Sequence, residues 1–271
     1  VSEASHEAQE SVMELWQQLT EQARLWQEQE TMVRELLARQ ILEQLSFPHC
    51  LAHLMAEKLA SVHLPAHILE REFLTLLETD QELMDAICID LKVTRERDPA
   101  CEHELQALLY FKGFHSLVGY RLAHALYHRQ QKMSALLLQS RISERFAVDI
   151  HPAARIGKGI MIDHATGVVI GESAVVGDYC SLLHNVTLGG TGKECCDRHP
   201  KIGKHVLIGA GAKVLGNIPI GDGVRIAAGS VVLKAVPAHS TVAGVPAKVV
   251  GSAPAPHPEE GMDHISIEVE A

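Results

Sequence analysis

In the second half of the chain a branched aliphatic residue returns every six positions, and very few folds accept that period. Ile150, Ile156 and Ile162 share one register, Ile170, Val176, Leu182 and Leu188 a second, and Ile202, Ile208, Val214, Ile220, Ile226 and Val232 a third. Glycine often follows the aliphatic residue, as at Gly157, Gly171, Gly177, Gly203, Gly209 and Gly221, which suits a tight corner. A unit this short cannot hold a helix pair or a propeller blade, and the strands of a sandwich would alternate every two residues. The period is that of a parallel β-helix. Three units form a triangular coil of about 18 residues, with coils stacked roughly 4.8 Å apart and the aliphatic residues pointing inward.

The grid breaks twice. Between Ile162 and Ile170 the step is eight instead of six, and two extra residues make a bulge that re-aims side chains, here Asp163 and His164. Between Leu188 and Ile202 the step is 14, so a loop, "GGTGKECCDRHPK", leaves the coil and carries Arg198 and His199. An imidazole suits removal of a proton from an attacking hydroxyl, although a histidine can also merely satisfy a corner. The planar fork of arginine suits a carboxylate. His184, two places beyond Leu182, is the equivalent of His164 one coil on and is expected beside it. The bulge is expected to face the loop across or beside a subunit boundary.

Before the repeat, from Ser11 to Phe146, apolar residues recur at three and four, as in Val12, Leu15, Trp16 and Leu19, then Leu51, Leu54, Met55 and Leu59. This predicts six to eight helices, punctuated by Pro48, Pro65, Asp80 and Pro99, with one long helix from Leu105 to Arg129. The fold class is therefore α+β: an all-α domain over 1–147, a parallel β-helix over 148–250 and a flexible tail over 251–271. A solenoid exposes strand edges, and the helical half is the natural cap for its first coil. A net charge of −10 argues against nucleic acid as a partner. No apolar run approaches the roughly 18 residues of a membrane span, and "VSEASHEAQE" lacks the features of an export signal, so no membrane partner and a cytoplasmic location are expected. The six cysteines show no disulfide spacing and are read as free thiols.

The stretches "RERDPA", "LLYFKGFHSLVGYRLAH", "DIHPAARIGKGIMIDHATGVVIGE", "VTLGGTGKECCDRHPKIG" and "GAGAKVLGNI" carry a likeness running from roughly Leu83 to Gly251. Over that span the chain resembles the serine O-acetyltransferases, hexapeptide-repeat acyltransferases with a left-handed β-helix. The hand comes from the resemblance and departs from the usual right-handed crossover. The ladder alone points to the superfamily, whereas "DRHPKIG" with "IDHATG" and "ERDPA" narrows it to this family. The resemblance implies transfer of acetyl from acetyl-CoA to the hydroxyl of L-serine, giving O-acetyl-L-serine and CoA in cysteine biosynthesis. It implies His164 as the base, with Asp149 of "DIHP" holding the imidazole. Asp149 precedes His164 by 15 residues, so the spacing puts it on the neighbouring coil, displaced sideways. Arg198 and His199 are implied to hold the serine carboxylate, and Asp163 and Asp98 its ammonium; Asp98 could equally cap a helix before Pro99. Gly190, Ala210 and Ala228 are implied to leave room for the coenzyme A arm, and Lys248 to meet its phosphates. No permanent cofactor and no metal are expected. The family further implies inhibition by L-cysteine and homotrimers paired into a hexamer. Its tail often ends in an isoleucine that docks into O-acetylserine sulfhydrylase, but this chain ends "SIEVEA" at Ala271, against that complex.

Rival readings use the same residues. His164 and His184, with His199 and His205, could bind zinc as in the γ-class carbonic anhydrases, whose likeness is confined to the ladder. "GGTGK" lacks the spacing of a phosphate loop. Cys195 or Cys196 could carry an acyl group. The acceptor could instead be homoserine, a sugar or a drug hydroxyl. A scaffold without catalysis predicts damage among Asp98, Asp149, His164, Arg198 and His199, and all five are present.

Overall fold

The computed structural model describes residues 3–192 and 195–253. The tail from Pro254 through Pro256, Pro258 and "SIEVEA" lies outside them. Among the described residues, eight α-helices precede the first strand: α1 (Glu3–Gln29), α2 (Arg34–Leu37), α3 (Phe47–Leu59), α4 (Ala66–Thr79), α5 (Gln81–Arg97), α6 (Glu104–Tyr110), α7 (Lys112–His128) and α8 (Lys132–Phe146). A π-helical turn, Ala38–Leu42, follows α2. Pro48 occupies the first turn of α3, where a missing N–H costs nothing, and Pro65 is the N-cap of α4. Asp80 caps α5 by accepting from the Leu83 amide at 3.0 Å.

The long helix predicted over 105–129 is instead two. Phe111 adopts φ −84°, ψ 106° between α6 and α7, with neither glycine nor proline at the break. The cause is tertiary: α7 turns so that Gly113 seats against the backbone of Ile162, where a Cβ would stand 1.8 Å from the carbonyl oxygen. Buried His115 repairs the break by donating from Nε2 to the Leu108 carbonyl at 2.7 Å. Burial pushes its pKa down to about 3, helped by the charge of Lys58, so the ring is neutral.

From Val148 the chain winds as a β-helix of about five turns. Its strands are β1 (Val148–Ile150), β2 (Arg155–Ile156), β3 (Met161–Ile162), β4 (Val168–Ile170), β5 (Val175–Val176), β6 (Ser181–Leu182), β7 (Thr187–Gly189), β8 (Lys201–Ile202), β9 (Leu207–Ile208), β10 (Lys213–Leu215), β11 (Pro219–Ile220), β12 (Arg225–Ile226), β13 (Val231–Val232), β14 (Ser240–Gly244) and β15 (Ala247–Ser252). The first face is β1-β4-β7-β10-β13, the second β2-β5-β8-β11 and the third β3-β6-β9-β12-β14-β15. All pairings are parallel except the closing hairpin of β14 and β15. The predicted aliphatic residues form three inward ladders, Ile150-Ile170-Leu188-Val214-Val232, Ile156-Val176-Ile202-Ile220 and Ile162-Leu182-Ile208-Ile226. All are buried except Ile156, which is half-buried. β15 carries the solenoid to Ser252, two residues past the expected boundary.

The helical half caps the first coil through polar groups as well as apolar ones. Tyr120 Oη donates to the Ala154 carbonyl at 2.5 Å, Arg121 to the Gly157 carbonyl at 2.7 Å, and His124 Nδ1 to the Pro152 carbonyl at 2.7 Å. Asp90 accepts from the Ile160 amide at 2.9 Å and from Arg121 Nε at 2.6 Å. Edge groups that no further coil could satisfy are thus paired by side chains of α5 and α7. Among the described residues no helix is long and apolar enough to cross a membrane. The six cysteines form no disulfide with one another, and Cys195 and Cys196 are exposed while the other four are buried.

Candidate active site

The bulge stands at the corner between the third and first faces, after β3. His164 (φ 55°) and Ala165 (φ 60°) are both left-handed there, a conformation in which histidine is enriched and alanine is strained. The turn lifts the His164 side chain to 75% exposure, with Nε2 3.7 Å from Asp163 Oδ2, too long for a hydrogen bond. As expected, His184 lies beside it, its ring edge-on at a centroid distance of 5.8 Å. Ala210 and Ala228 continue the same corner up the solenoid, after β9 and β12. They leave the edge above the two histidines open. Lys248, exposed on β15 opposite Ala243, lies on the third face next to that edge.

The loop leaves at the corner between the first and second faces, after β7. Its return is fastened to the coil below by Ser173, whose hydroxyl oxygen accepts from the amides of Arg198 at 3.0 Å and His199 at 3.2 Å. Lys201 ties the base by donating to the carbonyls of Ser173 at 2.9 Å and His199 at 2.7 Å. His199 is buried, and its Nδ1 accepts from the Ser173 amide at 3.1 Å, so the proton of the neutral ring sits on Nε2. Desolvation lowers its pKa, and the charges of Arg198 and Lys201 lower it further. The ring fits only because Gly171 lacks a side chain: a Cβ there would come 1.9 Å from Nε2. Arg198 donates from one terminal nitrogen to Glu172 Oε2 at 3.0 Å and from the other to the Cys196 carbonyl at 3.1 Å. Gly190 stands at the loop base, where a Cβ would come 3.2 Å from Arg198 Cγ.

Within one chain the bulge and the loop therefore occupy opposite edges of the first face. Asp149 projects outward from β1 between buried Val148 and Ile150, paired across to Val169. Its carboxylate accepts from Gln139 Nε2 at 2.7 Å, and among the described residues no hydrogen bond or ion pair joins it to His164 in the same chain. Asp98 follows the last turn of α5, and its carboxylate accepts from the Ala100 amide at 2.8 Å in a turn; no helix starts at Pro99, since α6 begins only at Glu104. Its neighbour Arg97 donates to Ser181 Oγ at 2.9 Å, which pins this helix end to the third face, the face from which the bulge emerges. The four histidines of the zinc alternative stand at three corners, His205 stacking on Tyr179 at the one between the second and third faces.

Residues 15–119 match the family description "Serine acetyltransferase, N-terminal", and residues 199–234 match "Bacterial transferase hexapeptide (six repeats)". The serine acetyltransferase of Salmonella typhimurium is 45% identical over 249 residues, 92% of this chain and 91% of that one. The crystal structure of serine acetyltransferase from Vibrio cholerae superposes with a TM-score of 0.92 at 47% identity, covering 94% of this chain and 98% of that one. The chain belongs to the serine acetyltransferase family. It is an acyltransferase, and its helical half followed by a β-solenoid is the fold of that family. Other solved members hold serine (Neisseria gonorrhoeae, 46% identical, TM-score 0.84, 86% of this chain and 96% of that one) or coenzyme A (Brucella abortus strain S19, 48%, 0.86, 88% and 95%). One further member is a complex with cysteine (44% identical, TM-score 0.91, 94% of this chain and 99% of that one).

Several side chains that shape the site had no signal in the sequence. Gln139 reaches Asp149 from α8, Lys112 at the start of α7 donates to Thr166 Oγ1 in the bulge, and Ser173 and Glu172 organise the loop from the coil below. Glu172 ends the stretch that contains the bulge and Ser173 follows it, yet only the stacking of coils shows that they serve Arg198 and His199.

Proposed function

We propose that the chain transfers acetyl from acetyl-CoA to the hydroxyl of L-serine, with His164 as general base. The observation that carries this reading is the bulge, which presents an exposed imidazole at the foot of an open corner lined by Ala210 and Ala228. The imidazole removes the serine hydroxyl proton as the oxygen attacks the thioester carbonyl. The tetrahedral oxyanion then collapses, the carbon–sulfur bond breaks, and the imidazolium returns the proton to the coenzyme thiolate. Arg198 and His199 hold the serine carboxylate through charge-assisted and neutral N–H donors, and Asp98 and Asp163 hold its ammonium.

Because bulge and loop lie on opposite edges of one face, the complete site joins the His164 edge of one chain to the loop edge of a second copy. Asp149, which shares the first face with the loop, meets the imidazole from that second copy and orients it. A closed ring of three chains supplies such an edge-to-edge contact at every site, and pairing of the helical halves makes the hexamer. Coenzyme A then lies along the same seam, beside Ala210, Ala228 and Lys248 of one chain and Gly190 of the other. L-cysteine, which keeps the ammonium and carboxylate of serine, competes for the same groups. The solved relatives holding serine, cysteine and coenzyme A support this set of ligands.

The test is acetyl-CoA consumption with L-serine, L-homoserine, sugars or no acceptor, in the parent chain and in His164→Ala. Serine-dependent turnover falling by about 10²–10⁴-fold in the variant is expected. Consumption indifferent to serine, or an undiminished variant, would sink the reading.

A further inference from the structure

Two thiols remain outside this chemistry. Cys195 and Cys196 are adjacent and exposed, with Sγ atoms 3.7 Å apart, and they line a cavity of about 430 Å³ together with Arg155, Glu172, Asp197 and Arg198. The other four cysteines are buried, and burial pushes the Cys88 thiol up to about 12 and raises those of Cys50 and Cys101. Thiol chemistry on this chain is therefore directed to the loop pair. The pair is also wired to the loop arginine, since the Cys196 carbonyl accepts from Arg198 at 3.1 Å.

We propose that Cys195 and Cys196 form a dithiol modification site, closed to a disulfide by small-molecule disulfides and bridged by trivalent arsenicals, whose occupation weakens substrate capture by Arg198. The coupling rests on the role given to Arg198 above; the site itself does not. One thiolate attacks the small disulfide, forming a mixed disulfide and releasing one thiolate. The second cysteine sulfur then displaces the other half, so that two protein thiols are oxidised and one small disulfide is reduced to two thiols. An arsenical with two hydroxyl groups bridges the same sulfurs with loss of two waters and no change of oxidation state.

Adjacent Cα atoms are about 3.8 Å apart, shorter than the roughly 4.4–6.8 Å that disulfides prefer, so the closed ring is strained and readily reduced. Such a bond is labile by construction, which suits reversible modification and not a structural staple. Closure draws the two sulfurs together and reorients the backbone at Cys196, whose carbonyl positions the guanidinium two residues on. Glu172 is left as the remaining partner of Arg198.

The test treats the full chain with oxidised glutathione, then with dithiothreitol, and separately with phenylarsine oxide. Mass spectrometry of the peptide holding both cysteines is expected to show loss of two hydrogens without retained glutathione, and one bridging arsenic after phenylarsine oxide. The KM for L-serine is expected to rise roughly ten-fold, the loss of one charge-assisted contact, with the KM for acetyl-CoA little changed and full reversal by dithiothreitol. Cys195→Ser and Cys196→Ser are expected to keep the basal activity and lose both responses. Glutathione retained on a single cysteine, or a disulfide formed with another chain, overturns the site. A disulfide that leaves the serine KM unmoved overturns the coupling. Arg198→Ala separates the two readings: a serine KM unchanged by that substitution removes the role of Arg198, while the mass shift still reports the modification site.

Discussion

Gly113→Ala is expected to disable the site from a helix that carries none of the proposed catalytic or substrate-binding residues. A Cβ at this position stands 1.8 Å from the Ile162 oxygen and 2.9 Å from its carbon. Carbon–oxygen contacts settle near 3.4 Å, so one partner has to move by about 1.5 Å. Helix α7 is held by Arg121 on Asp90 and by Tyr120 on the Ala154 carbonyl, whereas Ile162 leads directly into the strained pair His164 and Ala165. The bulge is the side that yields. Displacing a catalytic group by about 1 Å can cost on the order of 10²-fold, and overpacking costs roughly 1–3 kcal/mol of stability. Steady-state kcat and KM for both substrates, with the urea midpoint, separate the two effects. Gly119→Ala is the control on the same helix, because its Cβ meets Ile142 Cδ1 at 2.8 Å, the end of a side chain that can rotate away. It is expected to lose stability and keep kcat. If Gly113→Ala keeps kcat within about two-fold of the parent, the claim that α7 supports the bulge is wrong.

Three further outcomes follow from particular contacts. Gln139→Met removes the donor to Asp149 at similar volume and is expected to lower kcat roughly ten-fold with little change in the serine KM, as loss of one hydrogen bond to a charged group would; an equal loss through KM alone would deny it a positioning role. Asp90→Asn leaves the buried Arg121 without its counter-charge and is expected to cost roughly 3–5 kcal/mol by urea unfolding, and the double replacement Asp90→Leu with Arg121→Met recovers little of it, because the Ile160 amide and the Gly157 carbonyl then lose their partners. His115 carries a pH dependence whose sign follows from its lowered pKa of about 3. The unfolded chain takes up a proton below about pH 6.5 that the folded chain refuses, so stability is complete above that pH and falls toward pH 3 by up to about 1.4 kcal/mol per unit. The unfolding free energy from urea titrations is expected to fall between pH 7 and pH 5 by about 2 kcal/mol more for the parent than for His115→Gln, and equal falls would locate the titration elsewhere.

The parts of the molecule that follow a period were legible in the sequence. The inward ladders of the solenoid were readable residue by residue because each coil repeats one geometric constraint, and both functional segments announced themselves as departures from it. Pro48, Pro65 and Asp80 marked helix starts for equally local reasons. The break at Phe111 was not readable, since its cause is a carbonyl about fifty residues further along the chain. Asp149 illustrates a middle case: spacing put it on a neighbouring coil, but the fifteen residues to His164 could not say that the two would sit on different sides of a corner. Gln139, Ser173 and Asp90 are ordinary polar residues until the coils and helices stack, and no pattern sets them apart.

The placement of the bulge in the first coil has a physical reason. The regular corners above it each turn through a single left-handed residue, Asn185, Gly211 or Gly229, types that accept that conformation readily. At the bulge, left-handed His164 is followed by left-handed Ala165, and each non-glycine residue held so costs roughly 1–2 kcal/mol. The strain is offset from two sides. From the helical half come the fit of Gly113 on Ile162, the contact of Lys112 with Thr166 and the Ala147 carbonyl, which accepts from the Gly167 amide at 2.7 Å. From the next coil comes Asn185, whose amide donates to the Thr166 carbonyl at 2.8 Å and whose side chain fills the space left by the missing Cβ of Gly167. The bulge, at the end of the first coil, lies where α7 and α8 on one side and the next coil on the other can both hold it. The helices that close the solenoid are thus also what allows a histidine to be held out of it.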